Sequence, residues 1–182
     1  MNYKHNPYLY KENLSTFLIY VLLMVFDEVG RNMVKYYKVK VKWSEPFDLS
    51  RAYIYGYDND QLYMVLRSDP CVKNANFELV YIGQAYRQSI ARRLKTHHKI
   101  ETIVEETPKK KMVFVKFGTV ILPEGRRISH ELVTDIENAL IYWHEPKYND
   151  TSYASYNGRP IHIINQGKYE PLEKEIVLPE VE

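Results

Sequence analysis

Between residues 37 and 43 the chain alternates strictly. Tyr37, Val39, Val41 and Trp43 fall on one side, and Lys38, Lys40 and Lys42 on the other. A period of two is that of a half-buried β-strand, here with a comb of lysines on its second face. Residues 52–57, 62–66, 77–82 and 112–122 are apolar and aromatic runs that also read as strands, parted by Asp58-Asn59-Asp60, by a polar loop from Ser68 to Asn76, and by Thr107-Pro108. The period changes at Ile90, Ala91 and Leu94, which predict a helix over 87–98. Leu132, Val133, Ile136, Leu140 and Trp143 predict a second helix, capped by Ser129 and stopped by Pro146. Residues 160–164 give one more strand. Near the start, an apolar run over 17–26 predicts a helix that Asn13 or Ser15 caps and Gly30 ends. The order of elements predicts an α/β or α+β fold, a small central sheet flanked by helices.

Composition narrows the class. The chain has 182 residues, enough for one domain with its own core. Its apolar fraction of 45% and charged fraction of 26% belong to a globular protein rather than a disordered one. The apolar run is well short of the roughly 20 residues a membrane-spanning helix needs. It therefore predicts a buried helix or a subunit interface rather than an anchor, in a soluble, cytoplasmic protein. The single cysteine, Cys71, excludes an intramolecular disulfide and a zinc site with two thiolates, and the histidines show no HExxH spacing. Net charge is only +2, so any case for a nucleic-acid partner rests on local clusters.

Two places carry candidate chemistry. In the helix expected over 87–98, Arg93 and His97 lie one turn apart beside the buried stripe, just after Tyr81 and Gly83. A surface arginine and a boundary histidine are the plain explanation. Taken with Tyr81, they place a phenol, a fixed cation and an imidazole around one small volume, which suits chemistry on a phosphodiester. Glu137 sits at the margin of the second helix's apolar face, beside Val133 and Leu140. A carboxylate there loses hydration and needs a partner, either a lysine or a divalent metal. With no second acid one turn away, a metal would take Glu137, waters and phosphate oxygens, as Mg²⁺ is often held.

These residues resemble the GIY-YIG nucleases. Tyr81-Ile82-Gly83 is the second half of the family signature. Arg93 and His97 correspond to the arginine and histidine of the family's helix. Glu137, within Asp135-Ile136-Glu137-Asn138-Ala139-Leu140-Ile141, corresponds to its metal-binding glutamate. Asn149, in Pro146-Lys147-Tyr148-Asn149, corresponds to its closing asparagine. The resemblance covers residues 51–150. The first half of the signature departs, because no Gly-Ile-Tyr occurs. Arg51-Ala52-Tyr53 is the first match and makes Tyr53 the leading tyrosine. Gln61-Leu62-Tyr63 is the second, and Tyr55 and Tyr57, on the expected strand face of Tyr53, stay open.

The resemblance implies a GIY-YIG-like catalytic domain over 51–150. Residues 1–50 would be a helix-and-strand extension for an interface or DNA contact, and 151–182 a C-terminal extension packed on the same domain. It implies an endonuclease that cuts double-stranded DNA with Mg²⁺ (Mn²⁺ substituting), leaves 5′-phosphate and 3′-hydroxyl ends, and needs no small-molecule cofactor. Glu137 would hold the metal, and Tyr53 would activate water and pass its proton toward His97. Arg93 would stabilise the five-coordinate phosphorus, Tyr81 would bond phosphate or water, and Asn149 would position. The short flanks favour a restriction-type enzyme, dimerising through 17–26 to cut both strands. A homing or nicking nuclease is one alternative, and a non-catalytic DNA-binding protein on the same fold is another. Lys38, Lys40, Lys42, Lys109, Lys110, Lys111, Arg126 and Arg127 are the candidates for DNA phosphate contacts. A solvated charged face is the default for each.

Overall fold

The computed structural model describes residues 36–55, 60–72, 76–150 and 155–179, all within the compact unit Val34–Glu182. The helix expected near 14–26, and the interface or membrane role attached to it, lie outside the described residues, as does Tyr57. No helix of the described residues is long and apolar enough to cross a membrane.

A mixed seven-stranded sheet organises this unit. Its strands are β1 (Tyr37–Trp43), β2 (Phe47–Asp48), β3 (Leu62–Ser68), β4 (Glu78–Gln84), β5 (Met112–Ile121), β6 (Ile161–Gly167) and β7 (Glu175–Leu178). The spatial order is β4-β3-β5-β1-β6-β7, with the short β2 also on β5. Every pairing is antiparallel except that of β1 with β6. The alternation read over 37–43 is realised: Val39, Val41 and Trp43 are buried while Lys38, Lys40 and Lys42 are exposed. All seven residues of β3 are buried, as expected of a strand covered on both faces.

Four helices cover the sheet: α1 (Leu49–Tyr55), α2 (Ile90–Thr96), α3 (His98–Glu105) and α4 (His130–His144). Leu132, Val133, Ile136, Ala139 and Leu140 of α4 close one core over Val39, Val41, Trp43, Leu62, Met64, Ile82 and Ile163. On the opposite face Ala52 of α1, Ile90 and Leu94 of α2, and Ile100 and Ile103 of α3 pack on Tyr63, Val65, Tyr81, Val115 and Phe117. Arg67, buried at the end of β3, ties this side together. It donates to Thr107 Oγ1 at 2.9 Å, to the Ile103 carbonyl at 2.9 Å and to Tyr148 Oη at 2.6 Å.

Three expectations need correcting. Residues 52–55 do not form a strand, because Leu49–Tyr55 is helical. Asp48 accepts a hydrogen bond from the Arg51 amide at 3.0 Å, and Ala52 is fully buried. A capped turn with one buried anchor outweighs the weak strand preference of Tyr53, Ile54 and Tyr55. The helix over 87–98 is two helices. Ser89 caps the first by accepting from the Arg92 amide, and His97, at φ −97° and ψ 106°, breaks the spiral and caps the next. Finally, residue 50 is no domain boundary. β1 lies inside the sheet between β5 and β6, so residues 37–48 and 161–178 belong to the same layer as 62–121.

Candidate active site

The site begins at the β3–β4 hairpin. Tyr63 stands opposite Gly83 in register, and Tyr81, two residues before Gly83, shares the same face. The two phenol rings lie 6.0 Å apart, centroid to centroid. Glycine is required between them. A Cβ on Gly83 would stand 2.5 Å from Tyr63 Cζ and 2.8 Å from Tyr81 Cε1. Tyr63 is fully buried; its hydroxyl finds no partner of strict hydrogen-bond geometry and has only a weak bond, donated to the Tyr81 phenol. Burial, reinforced by Tyr81 and Glu137, holds its pKa well above the usual phenol value. Burial and then Glu137 also raise that of Tyr81.

His97 fixes Tyr81. Tyr81 Oη and His97 Nε2 are 3.0 Å apart, and His97 Nδ1 accepts the Lys99 amide at 3.3 Å. Burial, followed by Arg93, His98 and Lys99, lowers the His97 pKa to about 4, so the ring is neutral near pH 7. With Nδ1 occupied as an acceptor, the one ring proton sits on Nε2 and is donated to Tyr81. The Tyr81 hydroxyl proton is thereby left to point away from His97. The break between α2 and α3 produces this arrangement: His97 sits at the junction, capping α3, instead of one turn above Arg93 on a continuous helix.

Glu137 enters from α4. Gln84, the last residue of β4, donates through Nε2 to Glu137 Oε2 at 2.7 Å and to Thr134 Oγ1 at 3.1 Å. Burial raises the Glu137 pKa to about 7, against the opposing pull of Gln84 and of the Arg93 charge. Among the described residues, three buried side-chain polar atoms lack a hydrogen-bond partner of strict geometry: Tyr63 Oη, Gln84 Oε1 and Arg93 Nε. All three belong to residues that act directly on Glu137 or share its field. Buried polar atoms are nearly always paired, so such a concentration calls for a partner beyond the described residues, an ordered water or an ion included.

Asn149 braces the free edge of β4. Its Nδ2 donates to the Ile82 carbonyl at 2.8 Å, and its Oδ1 accepts the Ile82 amide at 2.9 Å. The Tyr148 amide reaches the Val80 carbonyl at 3.0 Å, and Lys99 is ion-paired with Asp150 beside them. The structure thus brings together Tyr81, Arg93, His97, Glu137 and Asn149, with Tyr63 as the second tyrosine. Tyr53 instead rides on α1, where burial and Glu101 raise its pKa. Sequence reading passed over Gln84 and Thr134. A polar residue ending an apolar strand and a threonine three residues before Glu137 on one helix face were the available signals.

The expected DNA contacts divide. Lys38, Lys40 and Lys42 are exposed. Lys42 pairs with Thr119, two residues along β5 from Phe117, which pairs with Tyr63, so the comb shares the tyrosines' sheet face. Lys109 and Lys110 are exposed, but Lys111 is held by Glu78 at 2.5 Å, the plain ion-pair explanation. Arg126 and Arg127 are exposed, with the Arg126 guanidinium 5.4 Å over the Tyr37 ring.

No protein-family model matches the chain, and neither a curated protein nor a solved structure matches it.

Proposed function

We propose that this chain is a metal-dependent endonuclease of the GIY-YIG type that hydrolyses DNA phosphodiesters, with Tyr63 rather than Tyr53 as its first signature tyrosine. The observation that carries this reading is the convergence of two phenols, an imidazole, a guanidinium and a buried carboxylate on one edge of the sheet, with three of their neighbouring polar atoms lacking a partner of strict geometry.

The residues fit a divalent cation of the Mg²⁺ kind. Among the described residues there is no group of three His, Cys, Asp or Glu side chains to cage a metal. Glu137 alone, with Gln84 turning it, suits a hard ion that keeps most of its coordination on water and phosphate. Bound there, such an ion supplies Lewis acidity at the scissile phosphate. The other roles follow from the protein atoms. Tyr63 Oη, neutral and with its proton turned toward Tyr81, accepts a hydrogen bond from the attacking water and aligns it. Tyr81, its oxygen already bonded by His97, donates a hydrogen bond to a phosphate oxygen. Arg93 offers its unpaired Nε–H to the charge that grows on phosphorus. His97 acts as a donor that orients Tyr81, which replaces the proton acceptor expected of it. Asn149 holds the strand that carries Tyr81.

Double-stranded DNA is the substrate, and a restriction-type role is the reading favoured here. The lysine comb on the tyrosines' face of the sheet supports a long phosphate track. The test is incubation of the full chain with phage-sized DNA and Mg²⁺, followed by sequencing of the ends. Discrete fragments with 5′-phosphates that Glu137→Gln no longer produces are expected. Metal-dependent cutting retained in that variant would refute the assignment.

A further inference from the structure

Where the loop after β4 meets the start of α4, a cavity is lined by Tyr86, Arg87, Ser129, His130 and Glu131. It shares no residue with the site around Glu137, yet it is in step with it. His130, Thr134 and Glu137 recur at helical spacing along one side of α4. Gln84, three residues before Arg87, is bonded to both Thr134 and Glu137.

The cavity's side chains form a corner of one kind of chemistry. The rings of Tyr86 and His130 lie 5.3 Å apart and 41° inclined, and the Arg87 guanidinium stands 5.3 Å over the Tyr86 ring. Arg87 is exposed and, among the described residues, in no ion pair, and its backbone is left-handed at φ 58°. A guanidinium laid over an aromatic face keeps its N–H edge free, and that edge matches two phosphate oxygens. Ser129 is already used, accepting the Leu132 amide at 3.2 Å, so the start of the helix is not the anchor. The Glu131 carboxylate in the lining opposes a bound anion, so the grip rests on the Arg87 guanidinium.

We propose that Tyr86, Arg87 and His130 hold the DNA backbone beside the bond that is cut, Arg87 gripping one phosphate and the Tyr86–His130 pair packing against the adjoining sugar. This rests on the nuclease reading above. Seven residues of helix separate His130 from Glu137, about 10 Å at 1.5 Å per residue. The anchored phosphate is therefore a neighbour of the scissile one and not the same group. The contact is to the backbone, so it fixes register without reading sequence.

The test uses the full chain in two arms, cleavage of plasmid DNA with Mg²⁺ and fluorescence anisotropy on a 30-base-pair duplex over a range of salt. Arg87→Gly is the informative variant, because glycine accepts φ 58° without strain and removes the guanidinium. The expected result is an unchanged or higher melting temperature, KM and Kd raised about tenfold, kcat within about twofold, and a salt slope shallower by about one. Arg87→Lys should recover part of the affinity. Unchanged KM and salt slope in a wild-type chain that does cut overturn this inference alone, as does a fall in melting temperature that tracks the loss of binding. A wild-type chain that neither cuts nor binds DNA overturns the nuclease reading and this inference with it.

Discussion

Two buried polar regions of this protein are handled in opposite ways. Beneath the β1–β6 pairing, Trp43 Nε1 donates to Asn165 Oδ1 at 2.9 Å, Asn165 Nδ2 donates to the Glu173 carbonyl at 2.7 Å, and the Asn165 amide reaches the Lys174 carbonyl at 2.8 Å. Asn165 is 1% exposed, and its polar groups close on protein. Around the β3–β4 hairpin and α2, Gln84 Oε1 and Arg93 Nε are buried without a partner among the described residues, and Tyr63 Oη has only a weak one in Tyr81. A satisfied network specifies the fold, whereas an unsatisfied one costs free energy that only a ligand can recover. The same strategy of sinking polar groups into a sheet thus serves architecture at one end and, on the present reading, chemistry at the other.

The sharpest way to break the comparison is to delete one hydroxyl at the open end. Tyr63→Phe should lower cleavage by about 10²-fold, the scale of a misplaced nucleophile. Because the hydroxyl has only a weak partner in Tyr81, stability should change little. Equal loss of both in a urea titration and a plasmid assay would place Tyr63 with the architectural class. At the closed end the signs reverse. Asn165→Ala strands the Trp43 N–H and should destabilise by about 2–3 kcal/mol while kcat is retained in the protein that folds.

The pH response separates the two regions further. The Glu137 pKa rises from 4.5 in the unfolded chain to about 7 in the folded one. Between those values the native state keeps a proton that the unfolded state has lost. Its contribution is therefore complete below pH 4.5 and is lost as pH rises through 7, about 3 kcal/mol in metal-free protein. His97 runs the other way. Its folded pKa of about 4 lies below its ordinary 6.5, so its contribution is present above pH 6.5 and falls away as pH drops through 4. Denaturant melts of Glu137→Gln without metal should therefore lose the decline from pH 5 to 8 and expose the rise due to His97. A wild-type slope persisting in the variant would remove Glu137 as its cause. The smallest expected effect is that of Tyr53→Phe on α1, which should leave cleavage within about twofold; a loss matching that of Tyr63→Phe would restore Tyr53 to the site.

The same contrast explains what could be read from the chain. β1 was legible because its lysines face water at every second position, and α4 because Ser129 and an apolar stripe delimit it. α1 was not, since Tyr53, Ile54 and Tyr55 favour strands and only the Asp48 cap and the burial of Ala52 tip the balance. The parallel pairing of β1 with β6 was invisible for another reason: it joins residues some 120 apart, and no local pattern encodes a partner that distant. Within the candidate site, Tyr81, Arg93, His97 and Glu137 stood out by type and spacing, and Asn149 only through the family resemblance. Tyr53 ranks ahead of Tyr63 in the sequence because Arg51-Ala52-Tyr53 and the Ile54-Tyr55-Gly56-Tyr57 after it resemble the family signature. Nothing in that local motif reveals that Tyr53 rides on a helix while Tyr63 faces Tyr81 across Gly83. The role of His97 depended on a helix break with no glycine or proline to mark it.

The clamp that Asn149 and Tyr148 place on Val80 and Ile82 has one more consequence. β4 ends the sheet, and an unpaired border of this kind ordinarily invites another chain to lengthen the sheet. Here the outward amide and carbonyl of Ile82 and the carbonyl of Val80 are already spoken for. That border cannot be zipped to a second copy or recruited into an aggregate through these groups unless the clamp first opens.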